Sequence, residues 1–304
     1  MTARLQAATE LDRGNMSISI DIVSAKAEFP RRIVCLTEET VETLYLLGEQ
    51  DRIVGVSVYA TRPPEVRDKP RVAAFVKANI EKILGLRPDL VLTFSDVQAE
   101  ISRELILRGV AVWNFNQRTL AGIFDMIGAL ARLVGKEPEG DALIEKLRRG
   151  LDEIAAAANR FPYRPRVYFE EWHDPLISGI GWVEELIEIA GGELVFPEIL
   201  GQSKARDRVV SPDEVVARNP DVILASWCGK KVDTDSIMQR PGWSTIAAVR
   251  DGHVYEIDAT IILQPGPASL ADGVREIHRI LAGVAGADQP GAPANRKSHT
   301  PVES

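Results

Sequence analysis

The sequence predicts an α/β protein made of two lobes that share one architecture and are joined by a helix. Three observations support this fold class. Short, continuous apolar segments alternate with helical patterns along most of the chain, as in parallel sheets that are covered on both faces. The stretch 119–159, between the two halves, is helical in pattern almost throughout. One pattern of capped helix, Pro-Asp turn and strand occurs once in each half.

The first half alternates strands and helices from residue 30 onward. Thr37 is placed to cap the first helix and Gly48 to end it, because a hydroxyl accepts the free N–H groups of a helix start and glycine tolerates the left-handed conformation at its end. The expected strands are 33–36, 53–56, 90–93 and 110–114, and the expected helices are 38–47, 79–86 and one that ends at Arg108-Gly109. A loop rich in Arg and Pro is expected at 57–70.

Strand patterns stop in the stretch 119–159. Its only interruption is at 135–140, after which an apolar stripe recurs at helical spacing through Leu143, Leu147, Leu151, Ile154 and Ala158. A helix of about 20 residues is ~30 Å long, the width of a domain. We therefore expect a rigid connector over 137–162. An ordinary covering helix of one larger domain has the same periodicity and stays open as the alternative.

The second half begins with a strand at 167–169 that runs into a polar and aromatic cluster at 170–175. A Ser178-Gly179 turn and a helix ending at Gly191-Gly192 follow, and further strands are expected at 222–226 and 254–257 before a last helix at 268–281. Parallel sheets place ligands at the carboxyl ends of their strands. We therefore expect two Rossmann-like lobes, each with a central parallel sheet, and a ligand cleft between them. The expected segments are a flexible leader (1–29), an N-terminal lobe (30–136), the connector (137–162), a C-terminal lobe (163–284) and a disordered tail (285–304).

An internal repeat pairs residues 79–96 with residues 211–228. Each copy has a capping residue (Asn79, Ser211), an acid in the first helical turn (Glu81, Asp213), an apolar pair, a Pro-Asp turn, an apolar strand and an aromatic residue near the strand exit. The repeat indicates two lobes of the same architecture. The two acids either complement the helix dipoles, worth about 0.3–1 kcal/mol each, or form a pair of charged contacts, one per lobe, for a partner protein.

Composition excludes several classes of protein. The net charge of −8 argues against a nucleic-acid binder, and no run approaches the ~18 apolar residues of a membrane span, so the chain is not expected to be membrane-embedded. Residues 1–29 lack the basic and apolar regions of a secretory signal. The sequence as written thus predicts a cytoplasmic location. Two cysteines without CxxC spacing fit free thiols.

Two strand exits carry thiols, and a third carries a histidine. Cys35 ends the first strand of the first half, and Cys228 follows the matching strand of the second half. They are either buried structural thiols or soft metal ligands that face each other across the cleft. His173 is either a surface histidine or an axial ligand to cobalt or iron. The metal-ligand candidates are therefore His173, Cys35 and Cys228.

Aromatic residues near strand exits are candidates for flat ligand walls. Tyr59, Trp172, Trp182 and Trp227 combine a large ring with a polar group, whereas Trp243 is expected to be packing. Arg62, Arg118 and the Lys230-Lys231 pair follow strand exits and are either ligand contacts or solvated side chains.

Catalysis is not indicated. Glu170 and Glu171 are adjacent on a strand and point to opposite faces, so they do not serve one reacting centre as an acid and a base. The sequence has no Gly-rich phosphate loop, no GxSxG and no HExxH.

Several segments together resemble the cobalamin-type class of ABC-transporter substrate-binding proteins, whose ligands are cobalamin and iron siderophores. They are RRIVCLTEETVETLYLLGEQDRIVGVS, NIEKILGLRPDLVL, EEWHDPLISGIGWVEELIEIAGGE, SPDEVVARNPDVILASWCGKK and PGWSTIAAVRDGHVYEIDATIILQPGP. They lie between residues 31 and 284.

The resemblance implies non-catalytic binding of a small-molecule chelate, with no intrinsic cofactor, in a shallow cleft that moves little. It implies cobalamin as the ligand, delivery to an ABC permease, a periplasmic location and a monomer. Glu81 and Asp213 match acids that dock onto the permease, Tyr59 matches a ligand-stacking aromatic, and Phe94 matches a cleft-facing strand exit. A ferric-siderophore or haem binder on the same fold, and a cytoplasmic metal- or corrinoid-handling enzyme or chaperone, remain alternatives.

Overall fold

A computed structural model describes residues 30–286 of the chain. The predicted leader, 1–29, and residues 287–304 of the predicted tail lie outside the described residues. Ala285, where the tail was expected to begin, is the last residue of the final helix.

The first half forms a five-stranded sheet in the order β3-β2-β1-β4-β5, and every strand pair in it is parallel. Three of its strands match the predicted ones closely. β3 was not expected, because the charged loop that precedes it gives no strand pattern. The strands are β1 (Ile33–Cys35), β2 (Ile53–Ser57), β3 (Arg71–Ala73), β4 (Leu90–Phe94) and β5 (Val112–Phe115), and the helices between them are α1 (Glu38–Leu46), α2 (Ile80–Gly85) and α3 (Ala99–Leu107).

The second half forms a sheet in the order β10-β9-β6-β7. β8 pairs in parallel with the start of β6, and β7 pairs antiparallel with its end, so this sheet is mixed rather than wholly parallel. The strands are β6 (Arg166–His173), β7 (Leu176–Ser178), β8 (Glu193–Leu194), β9 (Val222–Ala225) and β10 (Val254–Glu256). The helices are α6 (Gly181–Ile189), α7 (Pro212–Arg218), α8 (Thr234–Met238), α9 (Ala247–Arg250), α10 (Ala259–Ile262) and α11 (Val274–Ala285).

Two helices lie between the sheets in the chain, α4 (Leu120–Leu133) and α5 (Glu137–Ala158). α5 has 22 residues, which gives a length of about 33 Å. Four of the five residues of its predicted stripe are buried, and Leu143 is partly buried against the core. Gly140 lets α5 approach α4 closely, since a Cβ at this position would lie 2.3 Å from the Cβ of Ala131.

The internal repeat has the same local structure in both halves. Asn79 accepts a hydrogen bond from the N–H of Lys82 (2.9 Å), and Ser211 accepts one from the N–H of Glu214 (3.2 Å), so each caps its helix. In both copies the residue before the Pro-Asp turn is left-handed, with φ of 49° at Arg87 and 45° at Asn219.

The aspartate of each Pro-Asp turn accepts a backbone N–H at the start of the neighbouring strand, in the same way in both halves. The Asp89 carboxylate accepts the N–H of Arg32 (3.0 Å), just before β1, and the Asp221 carboxylate accepts the N–H of Arg166 (2.8 Å), where β6 begins. Each turn thereby sets the register between the two central strands of its sheet. The structure thus repeats one βαβ arrangement in both halves.

One hydrophobic core continues through both halves. Its buried members include Cys35 and Leu44 from the first sheet region, Leu151 from α5, and Trp182 and Leu186 from the second sheet region. The backbone of the two halves also meets closely. A Cβ on Gly181 would lie 2.4 Å from the carbonyl oxygen of Arg118.

Polar groups add direct links between the halves. The Arg62 guanidinium bonds both Glu42 (3.4 Å) and Asp272 (2.5 Å), and Glu42 also accepts the N–H of Ala268 (2.9 Å). The Gln117 amide donates to the carbonyl of Pro265 (3.1 Å). Arg62 therefore joins the two halves at α1 and does not stand free as a ligand contact.

A buried ion pair lies inside the second half. Glu170 has no exposed surface and accepts two hydrogen bonds from the Arg240 guanidinium (2.5 and 2.8 Å) and one from the Trp227 indole N–H (3.1 Å). Its position on β6 ties that strand to the segment after α8. Glu170 is thus a structural carboxylate.

Replacing Arg240 tests this structural role. Arg240→Leu leaves the Glu170 carboxylate buried without a cation, and we expect a loss of about 3–5 kcal/mol in the free energy of unfolding, measured by urea titration. The control is Arg279→Leu, which breaks the exposed pair with Glu276 and should cost about 0–1 kcal/mol. Equal losses in the two variants would contradict the structural role.

Candidate functional site

A cavity of about 570 Å³ lies between the two halves, at the carboxyl ends of their strands. This size is within the usual range of small-molecule sites, about 300–1,000 Å³. Its lining from the first half comprises Thr37, Glu38, Glu39, Val58, Tyr59, Thr61, Phe75, Phe94, Ser95, Asp96, Val97 and Arg118. Its lining from the second half comprises Glu171, Ile180, Trp182, Ser203, Lys204, Ala205, Arg206, Arg208, Cys228, Gly229, Ala259, Thr260, Leu263, Gln264 and Pro265.

Tyr59 and Phe94 supply the aromatic surface of the first half. Tyr59 follows β2 and is 44% exposed, an unusual state for a large ring in a folded chain. Phe94 ends β4 and is almost wholly buried, with its N–H held by the Gln98 side chain (2.9 Å). Tyr59 is therefore a partly exposed ring at the cavity, whereas Phe94 is a buried part of the cavity wall.

Trp182 supplies the aromatic surface of the second half. It is the second residue of α6, lines the cavity, and is 1% exposed. Its indole N–H donates to the carbonyl of Ile262 (2.9 Å). Trp182 thus forms a fixed wall, and its polar group is already used.

Several cations lie on the cavity lining. The Arg118 guanidinium lies 5.0 Å from the centre of the Phe94 ring and 3.4 Å from the Asp96 carboxylate. Burial lowers the pKa of Arg118, and the neighbouring Arg208 cation adds to this effect. Lys204 and Arg206 are exposed on the same lining. These cations can receive an anionic group of a ligand.

Arg208 is held rather than free. It is buried, pairs with the Glu171 carboxylate, and donates to the carbonyls of Ser178 and Gly179 (both 2.7 Å). The Ser178-Gly179 turn thus positions Arg208 and Glu171. Glu171 lines the cavity while Glu170 points away from it, in line with the opposite faces expected of strand neighbours.

Acids lie at the start of α1. Glu38 and Glu39 both line the cavity, and the hydroxyl of Thr37 donates to Glu39 Oε1 (2.6 Å). Burial, together with the neighbouring Glu38 carboxylate, raises the pKa of Glu39 to about 8. Burial also raises the pKa of Glu38.

Trp172 and His173 were expected to contact the ligand, but the structure places neither on the cavity lining. The register of β6 against β7 shifts between Glu170 and Trp172, so the strand bends and its alternation is broken beyond Glu171. Trp172 packs against the core of the second half and donates to the Asp174 carbonyl (3.0 Å). The His173 ring stacks on Trp227 at 4.4 Å.

Trp227 also lies away from the cavity. It is 2% exposed and borders a separate, open depression of about 660 Å³, together with Lys230 and Lys231. The ammonium group of Lys230 lies 5.2 Å from its ring centre and 3.1 Å from Nε2 of His173. Of the three tryptophans predicted to form a ligand wall, Trp172, Trp182 and Trp227, Trp182 alone is on the described cavity lining.

The two thiols do not face each other. Cys35 is wholly buried in the core, and burial raises the pKa of its thiol to about 12. Its side chain belongs to the hydrophobic core that includes Leu44 of α1 and Ile127 of α4, and it does not line the cavity. Cys228 is exposed and lines the cavity, with its pKa raised by burial and by the Glu38 and Glu171 carboxylates. Within residues 30–286, no group of three or more His, Cys, Asp or Glu side chains could hold a metal ion.

The two repeat acids lie on the outer surface. Glu81 is in the first turn of α2 and bonds Arg108 at 2.9 Å. Asp213 is exposed in the first turn of α7. Trp243, expected to be packing, is wholly buried beside Tyr168.

Sequence reasoning missed six charged cavity residues: Glu38, Glu39, Asp96, Lys204, Arg206 and Arg208. A signal existed for the three acids, because Glu38 and Glu39 follow β1, Asp96 follows β4, and strand exits face the cleft. The three cations lie in and beside an isolated helical turn, Ala205–Arg208, and no periodic pattern marks such a turn.

The raised pKa of Glu39 gives a pH test of stability. Its carboxyl titrates near 8 in the folded chain and near 4.5 when unfolded, so stability is full below pH 4.5 and falls as the pH rises toward 8. We subtract the free energy of unfolding of the wild type from that of Glu39→Gln, both measured by urea titration. We expect this difference to be larger at pH 8.5 than at pH 4.5 by on the order of 3 kcal/mol. Glu81→Gln is the control and should show no such change. The same difference at both pH values would contradict the assignment.

Comparison with known proteins relates this geometry to a family. Residues 33–261 match the model of the periplasmic binding protein family. An ABC transporter substrate-binding lipoprotein of Bacillus subtilis is 28% identical over 264 residues, which cover 84% of this chain and 81% of that protein. A cobalamin-binding protein of Halobacterium salinarum is 28% identical over 269 residues, which cover 85% of this chain and 70% of that protein.

A solved structure agrees with the fold. The periplasmic vitamin B12-binding protein of Vibrio cholerae superposes with a TM-score of 0.67 and 25% identity, over 84% of this chain and 98% of that one. Two α/β halves with a cleft between them, as predicted, are the architecture of these binding proteins. The chain belongs to the periplasmic binding protein family.

Proposed function

We propose that the chain binds a corrinoid of the cobalamin type in the cavity between its halves, without catalysis, and delivers it to an ABC importer. The matches to a cobalamin-binding protein and to a vitamin B12-binding protein support this ligand class. The match to an ABC transporter substrate-binding lipoprotein supports delivery to an importer. In this role cobalamin is cargo, and no resident cofactor is required.

The observation that carries the proposal is the exposed ring of Tyr59 at a cavity with a mostly apolar lining. The Tyr59 ring of the first half comes close to the second half. It lies 3.7 Å from the position that a Cβ on Gly229 would take. A macrocycle has a broad, flat face, and aromatic rings bind such faces with a large contact area. Phe94, Trp182 and Cys228 complete the set of predicted ligand contacts that line the cavity.

The cations on the cavity lining favour a second candidate ligand class. Arg118, Lys204 and Arg206 bring positive charge to the lining, and guanidinium groups bind carboxylates in a paired geometry. The propionates of a haem, or the negative charge of an anionic ferric siderophore, suit these cations. A series of chelates distinguishes these ligands from corrinoids.

Partner docking is proposed at the two repeat acids. Glu81 and Asp213 stand in matching first helical turns, one in each half, and both are exposed. Two such points suit a permease that spans both halves and presents basic residues. We place this encounter outside the cytoplasm, as the family of the chain suggests. Within residues 30–286, no helix is both long and apolar enough to cross a membrane.

Ligand titration tests the binding proposal. We expect cyanocobalamin to bind with Kd below ~10 µM in titration calorimetry. Tyr59→Ala should weaken binding about 10- to 100-fold, because it removes the ring face on which the macrocycle stacks. The matched control is Trp113→Ala, an exposed aromatic residue on β5 outside the cavity, which should leave Kd unchanged.

Two results would overturn this proposal. If cyanocobalamin fails to bind and haemin or a ferric siderophore binds instead, the second ligand class is correct. If stoichiometric metal is found in the purified protein without affinity for any of these chelates, the protein handles metal in another way.

Charge reversal tests the docking proposal. We expect the pair Glu81→Lys with Asp213→Lys to reduce uptake at least about tenfold, in proteoliposomes that hold the importer, while Kd for the ligand stays unchanged. Glu153→Lys reverses an exposed acid on α5 and should leave uptake intact. Uptake by the double variant at the wild-type rate would remove both acids from the docking surface.

A further inference from the structure

Glu38 and Glu39 differ from the other acids on the described cavity lining, Asp96 and Glu171. Each has a carboxylate oxygen that is buried and accepts no hydrogen bond, Glu38 Oε1 and Glu39 Oε2. Glu39 is only 1% exposed, yet both residues lie on the cavity lining. Glu184 also has a buried oxygen without a hydrogen bond, but it does not line the cavity. A buried oxygen without a partner is costly in a folded protein. Its presence on a cavity wall indicates that a partner arrives with the ligand.

Neighbouring acids show what a purely structural carboxylate looks like here. Glu42, one turn further along α1, bonds Arg62 and the N–H of Ala268. Glu171, on the opposite wall, is paired with Arg208. Glu38 and Glu39 have no ion pair among the residues that the structure describes. Their difference from Glu42 and Glu171 is therefore the absence of a cation, not the presence of burial.

The fold holds these two acids firmly in place. The Thr37 hydroxyl fixes Glu39 Oε1 at 2.6 Å, and the loop from the second half packs directly against the residue, since a Cβ on Gly266 would lie 2.5 Å from Glu39 Cβ. The N-terminus of α1 offsets part of the charge. Burial still raises the pKa of both carboxyls, as expected when no cation compensates.

We propose that Glu38 and Glu39 form a subsite that accepts hydrogen bonds from carboxamide or ammonium groups of the ligand and excludes carboxylates. This inference rests on the proposed function of the cavity as a ligand site. An N–H donor satisfies the two free oxygens directly. A ligand carboxylate at the same place adds negative charge beside the Glu38 carboxylate in a poorly solvated wall, which is unfavourable. The repulsion is strongest above about pH 8, where Glu39 ionises as well.

The subsite gives the cavity two chemically different sets of polar groups. Arg118, Lys204 and Arg206 can receive an anionic group, and Glu38 with Glu39 can accept an N–H donor. A ligand whose polar groups are all carboxylates matches only the cations. A macrocycle with an anionic group and side-chain amides matches both sets, which deepens the corrinoid proposal by placing an amide-bearing edge against α1.

The test compares the affinities of macrocyclic ligands in pairs, in which one member has a side-chain amide where the other has a carboxylate. The probes are cyanocobalamin with its monocarboxylic acids, in which one side-chain amide is hydrolysed, and haemin diamide with haemin. We expect the wild type to bind an amide form about 10- to 100-fold more tightly than its carboxylate form in at least one pair. The double variant Glu38→Gln with Glu39→Gln should reduce that ratio to within about threefold, and Glu81→Gln, an acid in a matching first turn outside the cavity, should leave it unchanged.

The outcomes separate this inference from the proposed function. Equal binding of amide and carboxylate forms by the wild type, or an unchanged ratio in the Gln double variant, overturns the subsite while the ligand site stands. A preference shown by the haemin pair, together with no binding of cyanocobalamin, supports the subsite and overturns the corrinoid proposal. No binding of any of the four probes overturns both. Circular dichroism and unfolding of the double variant verify that it is folded, and single Gln variants replace it if it is not.

Discussion

The continuous hydrophobic core that joins the two halves is the constraint on which the rest of the structure depends. α5 and the first turn of α6 contribute to the same core as the first sheet, and the loop around Pro265 lies on α1 with no space for a side chain at Gly266. Interiors packed at this density do not deform continuously. The distance between the cavity walls is therefore set by packing, and large hinge closure would require the core to come apart.

A fixed cavity changes what its polar groups can do. In a protein that closes around its ligand, unpaired charges can remain in water until the ligand arrives. Here Glu39 is already buried with one unbonded oxygen, while Arg208 is already bonded to Glu171 and to two carbonyls. The free energy cost of desolvating the acids belongs to folding rather than to binding. The ligand then gains the full benefit of satisfying them, which favours selectivity.

Local chemistry in the sequence predicted much of the fold. The caps at Asn79 and Ser211 and the two Pro-Asp turns depend on residues close in sequence, so their pattern could be read directly. The site was less predictable because strand exits were treated as equivalent. Phe94 ends β4 and lines the cavity, whereas Cys35 ends β1 and points into the core. The direction of a last strand residue depends on alternation within the sheet, and no composition pattern shows it.

The irregularity of β6 explains the largest difference between the expected and the observed site. A regular strand would have carried its pattern through Trp172 and His173, and the antiparallel β7 that pairs with its end was not visible as a separate strand. Glu171 still faces the cavity, where Arg208 holds it, but beyond it the irregular register leaves His173 stacked on Trp227 and Trp172 against His173. Bulges commonly re-aim side chains next to a functional site. The distortion thus withdraws Trp172 and His173 from the cavity, and the carboxylate just before them remains there to hold Arg208.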